Sequence, residues 1–144
     1  MYLDTCVIVR LVSREPDSEA YHRIVSGHPV VTSELAVTEI RSALLMKERT
    51  GSITRAARQA GWRLFQQKVL DGEFTLLPLN RQVVERAGGV IEQCHPTVPL
   101  RSLDAIHVAT AELHGGEEIF SSDLRVCDAA RFLSLPLVPL PPKI

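Results

Sequence analysis

Aromatic residues are scarce: one Trp, two Tyr and four Phe make up 5% of the 144 residues. With 45% of residues hydrophobic, the core is therefore aliphatic. That suits a buried parallel sheet under helices better than a sandwich of antiparallel sheets. Cysteine is scarcer still. Cys6, Cys94 and Cys127 form no CxxC pair and are odd in number, which argues against a disulfide framework and a structural zinc site. Cys6 and Cys127 stand among apolar neighbours and read as small core fillers. No apolar run approaches 18 residues, so no membrane span is expected. The start, MYLDTCVIVRLV, lacks a basic leader and meets Asp4 early, unlike a signal peptide. A soluble, cytoplasmic chain is expected. No GxGxxG follows the first apolar segment, which weighs against a Rossmann cofactor fold.

Excess charge of one sign is also missing. Sixteen basic and 17 acidic residues leave a net charge of −1, low for a protein that coats nucleic acid without specificity. The distribution is uneven, however. Lys47, Arg49, Arg55, Arg58, Arg63 and Lys68 share their stretch with one acid, Glu48. Such a run meets phosphates or an acidic partner, or forms the solvated face of a helical hairpin.

What is present alternates. Short apolar strands are expected at Met1–Asp4, Pro29–Thr32, Phe74–Leu77, Glu118–Ser121 and Leu137–Val138. Helices fall between them. One follows Thr5 to Val12, and another runs from Pro16-Asp17 to about Ser26. A hairpin at about 33–71 comprises a helix capped by Thr32 or Ser33 and a second starting at Ser52. Asn80 caps a helix to about Gln93, Ser102 one to Leu113, and Asp123 one to about Leu133. The pattern predicts a three-layer α/β/α fold with a central parallel sheet of four to five short strands, occupying residues 1–144 as one domain. Ligands of such sheets bind beyond the carboxyl ends of the strands.

Some acids fall where a packed fold disfavours them. Asp4 directly follows the strand Tyr2-Leu3, and Asp123 comes soon after Ile119-Phe120, so both belong at strand carboxyl ends. Glu39 shares a helical stripe with Leu35, Ala36, Ile40 and Ala43, where glutamate is rare unless paired or metal-bound. Asp104 opens LDAIHVATAEL, a helix apolar nearly all round. Each has an ordinary alternative: Asp4 and Asp123 as helix caps, Asp104 as a first-turn acid answering the dipole, Glu39 as the partner of Arg41 or Lys47. Together they share one predicted rim. Carboxylates within ~4–6 Å of each other repel unless some take protons or a cation joins them. An all-oxygen set suits Mg²⁺ or Mn²⁺, whereas zinc wants His or Cys. His107, three residues after Asp104, reads as a core or supporting histidine rather than a ligand.

Four stretches, YLDTCVIVRL, SELAVTEIRSALL, LRSLDAIHVATA and IFSSDLRVCDAARFLSLPLV, resemble the PIN-domain family, and within it the VapC-type toxins of bacterial toxin–antitoxin pairs. The third is the most specific. The resemblance covers nearly the whole chain, although about residues 50–95 match only in pattern. It implies a PIN fold and a Mg²⁺- or Mn²⁺-dependent endoribonuclease with Asp4, Glu39, Asp104 and Asp123 as catalytic, metal-holding acids. Thr5 and Ser122 are then supporting residues. Implied partners are an RNA substrate, a cognate antitoxin laid along the hairpin, and a second copy of the chain in a homodimer. Leu44, Leu45, Ile53, Trp62 and Phe65 are candidate anchors for the antitoxin or, alternatively, pack the hairpin onto the sheet. Arg101 either reaches a phosphate or is a solvated loop residue. A haloacid-dehalogenase-type phosphohydrolase also places Asp after its first strand, but it wants DxD where this chain reads Asp4-Thr5-Cys6. The remaining alternative is a catalytically silent PIN-fold module that binds RNA or protein.

Overall fold

Tyr2 and Leu3 are adjacent in strand β1 (Tyr2–Leu3), and strand geometry sends their side chains to opposite faces of the sheet. Each lies in a different core. Tyr2, Leu77, Val90, Val108 and Ile119 belong to one, and Leu3, Ile8, Ile40, Phe65 and Phe120 to the other. The computed structural model, which describes residues 1–142, is thus an α/β/α sandwich in three layers. Strands β1, β2 (Val30–Ser33), β3 (Phe74–Leu77) and β4 (Ile119–Phe120) form one parallel sheet in the order β3-β2-β1-β4.

Helices α1 (Thr5–Val12), α2 (Ser18–Val25), α3 (Leu35–Arg49) and α4 (Arg55–Leu70) supply the core that holds Leu3. Helices α5 (Arg81–Cys94), α6 (Ser102–Leu113) and α7 (Leu124–Phe132) supply the core that holds Tyr2. Buried Ala36, Ile40 and Leu44 recur every fourth residue along α3, the apolar stripe expected of a helix covering a sheet. From Ala105 to Ala111, α6 is buried at every position but Ile106, in keeping with its nearly all-apolar sequence. At Gly61 in α4 a Cβ would stand 2.6 Å from the Val12 carbonyl oxygen, so only glycine lets α4 approach the end of α1 this closely.

The expected fifth strand is a single parallel bridge, Ile119 to Leu137, with Val138 N–H bonded to the Ile119 carbonyl. Pro136 and Pro139 have no N–H to extend that ladder. Three helix starts also differ from expectation. Helix α4 begins at Arg55, because Thr54 rather than Ser52 accepts the Ala57 amide; Ser52 pairs with Thr50 in the turn. Ser102 is the first residue of α6, and no side chain caps that helix. At α3, Ser33 accepts the Leu35 amide while Thr32 donates to the Leu3 carbonyl, and Glu34 holds the cap position. No helix among the described residues is long and apolar enough to cross a membrane.

Candidate active site

The parallel register aligns Leu3 with Phe120, so the residues that follow, Asp4 and Ser121, leave the sheet side by side. Asp4 stands at the cap position of α1 but makes no capping bond there. Its carboxylate is buried and turned toward β4 instead. Ser121 Oγ donates to Asp4 Oδ2 at 2.5 Å and accepts the Asp123 amide at 3.0 Å, so one hydroxyl ties two acids together. Asp123 caps α7 by accepting the Arg125 amide through Oδ1 at 2.8 Å, as expected.

Glu39 reaches the same place from α3. Thr5 Oγ1 donates to Glu39 Oε2 at 2.5 Å, and His107 Nε2 lies 2.6 Å from the same oxygen. His107 Nδ1 is 2.7 Å from the Tyr2 hydroxyl, and Nε2 is 3.7 Å from Asp4 Oδ1. Asp104, in the first turn of α6, contributes a buried Oδ2 that has no hydrogen-bond partner among the described residues. All four acids line one cleft of about 620 Å³, together with Thr5, Cys6, Arg10, Glu15, Lys47, Arg101 and His107. Glu39 is therefore held by Thr5 and His107 and not by Arg41 or Lys47; Lys47 pairs with Glu15.

The charges respond to this crowding. Burial, then the charges of Asp123 and Asp4, push the Asp104 carboxyl above its ordinary value, with Arg101 pulling the other way. Burial pushes Glu39 up as well, yet the His107 and Thr5 hydrogen bonds and the His107 charge bring it below the usual carboxylate range. Burial disfavours a charged His107, but the Glu39 hydrogen bond and the nearby acids hold its proton more tightly than usual. Burial and Asp4 keep the Tyr2 phenol protonated.

The donor set fits a hard divalent cation. It is all oxygen, it concentrates carboxylates, and one of its buried oxygens is unpartnered. Among the described residues no three potential ligands are drawn to metal-ligand spacing. Mg²⁺ needs no closed cage, since it keeps several waters and takes one or two carboxylates.

Two residues behave differently from their sequence reading. Ser122 hydrogen-bonds none of the four acids among the described residues: its Oγ accepts from Arg10 Nη1 at 3.0 Å and lies 3.3 Å from Cys6 Sγ. Ser121, not singled out before, is the serine that contacts them. Which of two adjacent serines faces Asp4 depends on the pairing of β1 with β4, which no local pattern encodes. Cys6 is more than a core filler, because its thiol lies 3.3 Å from Asp4 Oδ2. Burial and Asp4 raise that thiol to about 11.

On the hairpin, Leu44 and Phe65 are core residues, whereas Ile53 and Trp62 are half-buried against that core. Leu45 is 44% exposed. Arg41 stacks over Trp62, its guanidinium carbon 4.2 Å from the ring centroid. Half of the basic run is neutralised locally, by Lys47–Glu15, Arg58–Glu48 and Lys68–Glu73 pairs.

The parallel α/β/α sheet thus gathers four carboxylates around one cleft. The PIN domain family profile matches residues 1–132, and the chain belongs to that family. It is 36% identical over 141 residues to Ribonuclease VapC46 of Mycobacterium tuberculosis (strain ATCC 25618 / H37Rv), covering 96% of this chain and 95% of the relative. Among solved structures, FitAcB from Neisseria gonorrhoeae aligns with a TM-score of 0.72 at 18% identity over 96% of both chains. VapBC2 from Rickettsia felis, bound to a DNA fragment from its promoter, aligns with a TM-score of 0.67 at 11% identity over 95% of this chain and 96% of that one. A toxin–antitoxin complex from Klebsiella pneumoniae aligns with a TM-score of 0.62 at 15% identity, covering 96% of this chain and 95% of that one.

Proposed function

We propose that the chain is a Mg²⁺- or Mn²⁺-dependent endoribonuclease of the VapC type, the toxin of a toxin–antitoxin pair. The observation that carries this reading is the buried, unpartnered Asp104 Oδ2 in a cleft it shares with Asp4, Glu39 and Asp123. An unpartnered buried carboxylate oxygen is costly, and a cation relieves that cost. Kinship with a ribonuclease at 36% identity supports the same reading.

Asp4, Asp104 and Asp123 would hold the ion, directly or through water. When bound, it supplies Lewis acidity toward a phosphodiester and makes an attacking water more acidic. The chain's own contribution is placement. Ser121 holds Asp4 through Oδ2 and braces Asp123 through its amide. Thr5 and His107 fix Glu39, which would help hold the ion or orient an attacking water. Arg101 lines the cleft and forms no ion pair among the described residues, so it is the cation assigned to a substrate phosphate.

As partners we propose RNA, a cognate antitoxin on the α3–α4 hairpin, and a second copy of the chain. We place the protein in the cytoplasm, built as a single PIN domain. Incubating labelled RNA with Mn²⁺ and either the native chain or Asp4→Asn tests the reading. Cleavage by the native protein alone is expected. Equal cleavage by both, or by neither, leaves the silent binding module as the better account.

A further inference from the structure

Glu39 is held by more than its own helix. Its Oε2 receives Thr5 Oγ1 at 2.5 Å and faces His107 Nε2 at 2.6 Å, while no protein donor reaches Oε1 among the described residues. Behind His107 stands Tyr2, its hydroxyl 2.7 Å from Nδ1. Tyr2 is fully buried and His107 is 2% exposed, so this chain of bonds runs from the core to the cleft without solvent.

A carboxylate oxygen only accepts, so the 2.6 Å contact to Glu39 Oε2 makes Nε2 the donor of the imidazole. Nδ1 of a neutral ring is then the acceptor that faces the Tyr2 hydroxyl at 2.7 Å. The ring proton then sits on Nε2, aimed at Glu39. If the ring gains a second proton, Nε2 still carries one. In both forms the donor toward Glu39 is the same, an outer hydrogen bond that orients an acidic group as such bonds do around metal sites.

We propose that His107, oriented by Tyr2, is a positioning residue that locks the Glu39 carboxylate by Oε2 and leaves Oε1 alone to serve the cleft. Glu39 then acts through one oxygen, on a water or an outer ligand of the ion, rather than as a two-oxygen clamp. The inference rests on the nuclease reading above. A histidine that merely filled space would be replaceable by leucine, which has similar bulk and no N–H.

Three variants separate the possibilities: His107→Leu removes the donor, His107→Gln keeps an N–H donor, and Tyr2→Phe removes only the orienting hydroxyl. Loss of such outer contacts costs about 10–100-fold in activity or metal affinity. With Mn²⁺ and labelled RNA, kcat of His107→Leu should fall in that range with KM nearly unchanged. His107→Gln should recover most of the loss, and Tyr2→Phe should lie between. Equal losses in His107→Leu and His107→Gln, with both melting normally, would overturn the proposal. Should His107→Leu fail to fold, His107→Gln and Tyr2→Phe carry the comparison. An ¹H–¹⁵N spectrum of the native metal-free protein gives a readout independent of turnover. It should show Nε2 of His107 protonated, and a ring protonated only at Nδ1 overturns the proposal. If the native chain cuts no RNA while Nε2–H is observed, the nuclease reading fails and the positioning of Glu39 stands.

Discussion

Ser121 Oγ lies 2.5 Å from Asp4 Oδ2, closing across 117 residues of sequence a contact that the β1–β4 register makes unavoidable. The hydroxyl is buried, and hydrogen bonds to charged groups contribute about 1.5–3 kcal/mol. Ser121→Ala should therefore weaken Mn²⁺ binding or cleavage about 10–100-fold, and Ser121→Thr should retain more of both. Ser122→Ala should change them far less, because its hydroxyl meets Arg10 and Cys6 instead of an acid. Titrations of the three variants with Mn²⁺ check this. A larger effect at Ser122 than at Ser121 would reverse the assignment.

Asp104 supplies a pH prediction for the metal-free protein. Its carboxyl is raised in the folded state, chiefly by burial and then by Asp123 and Asp4. A raised carboxyl holds its proton more tightly folded than unfolded. It stabilises the fold below the ordinary aspartate range and loses that contribution as pH rises through the raised value. At neutral pH the ionised group is therefore a burden on the fold. With a chelator present, Asp104→Asn should melt higher than the native chain at pH 7, and the advantage should shrink toward pH 3–4 (roughly the unperturbed aspartate value). Melting curves across that range decide the sign.

How much of this is legible in the sequence depends on the range of the interaction. Asp4 is visible because it breaks an apolar run at the end of a strand, Asp123 because it follows the strand Ile119-Phe120 by two serines, and Glu39 because it sits on the stripe of Ala36 and Ile40. Two-residue strands and single hydrogen bonds carry no periodicity. The choice of Ser121 over Ser122, the thiol of Cys6 beside Asp4, and the Tyr2–His107–Glu39 chain all depend on pairing between distant segments. Leu137–Val138 carried the apolar signal of a strand, but flanking prolines cut its ladder to one bridge. Thr54 outcompeted Ser52 because the turn after α3 returns two amides to the Lys47 carbonyl before α4 can begin.

Packing of the hairpin onto α1 gives a prediction free of catalysis. A methyl at Gly61 meets the Val12 carbonyl oxygen at 2.6 Å, whereas one at Gly88 meets nothing within 4 Å. Gly61→Ala should cost about 1–3 kcal/mol through overpacking. Gly88→Ala, in an exposed turn of α5, should stabilise by up to about 1 kcal/mol through helix propensity. Denaturant midpoints of the two variants should move in opposite directions.

Leu45 tests the proposed partner surface. It is 44% exposed on α3, beside Trp62 and Arg58 around a cleft of about 230 Å³. Substitutions of exposed residues usually shift stability by only about 0.5 kcal/mol. Leu45→Glu should leave the melting temperature nearly unchanged yet weaken binding of the cognate antitoxin at least tenfold in a purified titration. Unchanged affinity would move the antitoxin off this face.

Calorimetric titration of Mn²⁺ into the native chain and into Asp104→Asn bears most directly on whether these acids make a cation site. The native protein should take up the ion with measurable heat and melt at a higher temperature in its presence, since a ligand of the folded state stabilises it. Asp104→Asn should lose both responses while remaining folded. A native chain whose heat and melting temperature ignore millimolar Mn²⁺, or an Asp104→Asn protein that binds it equally well, would contradict the account.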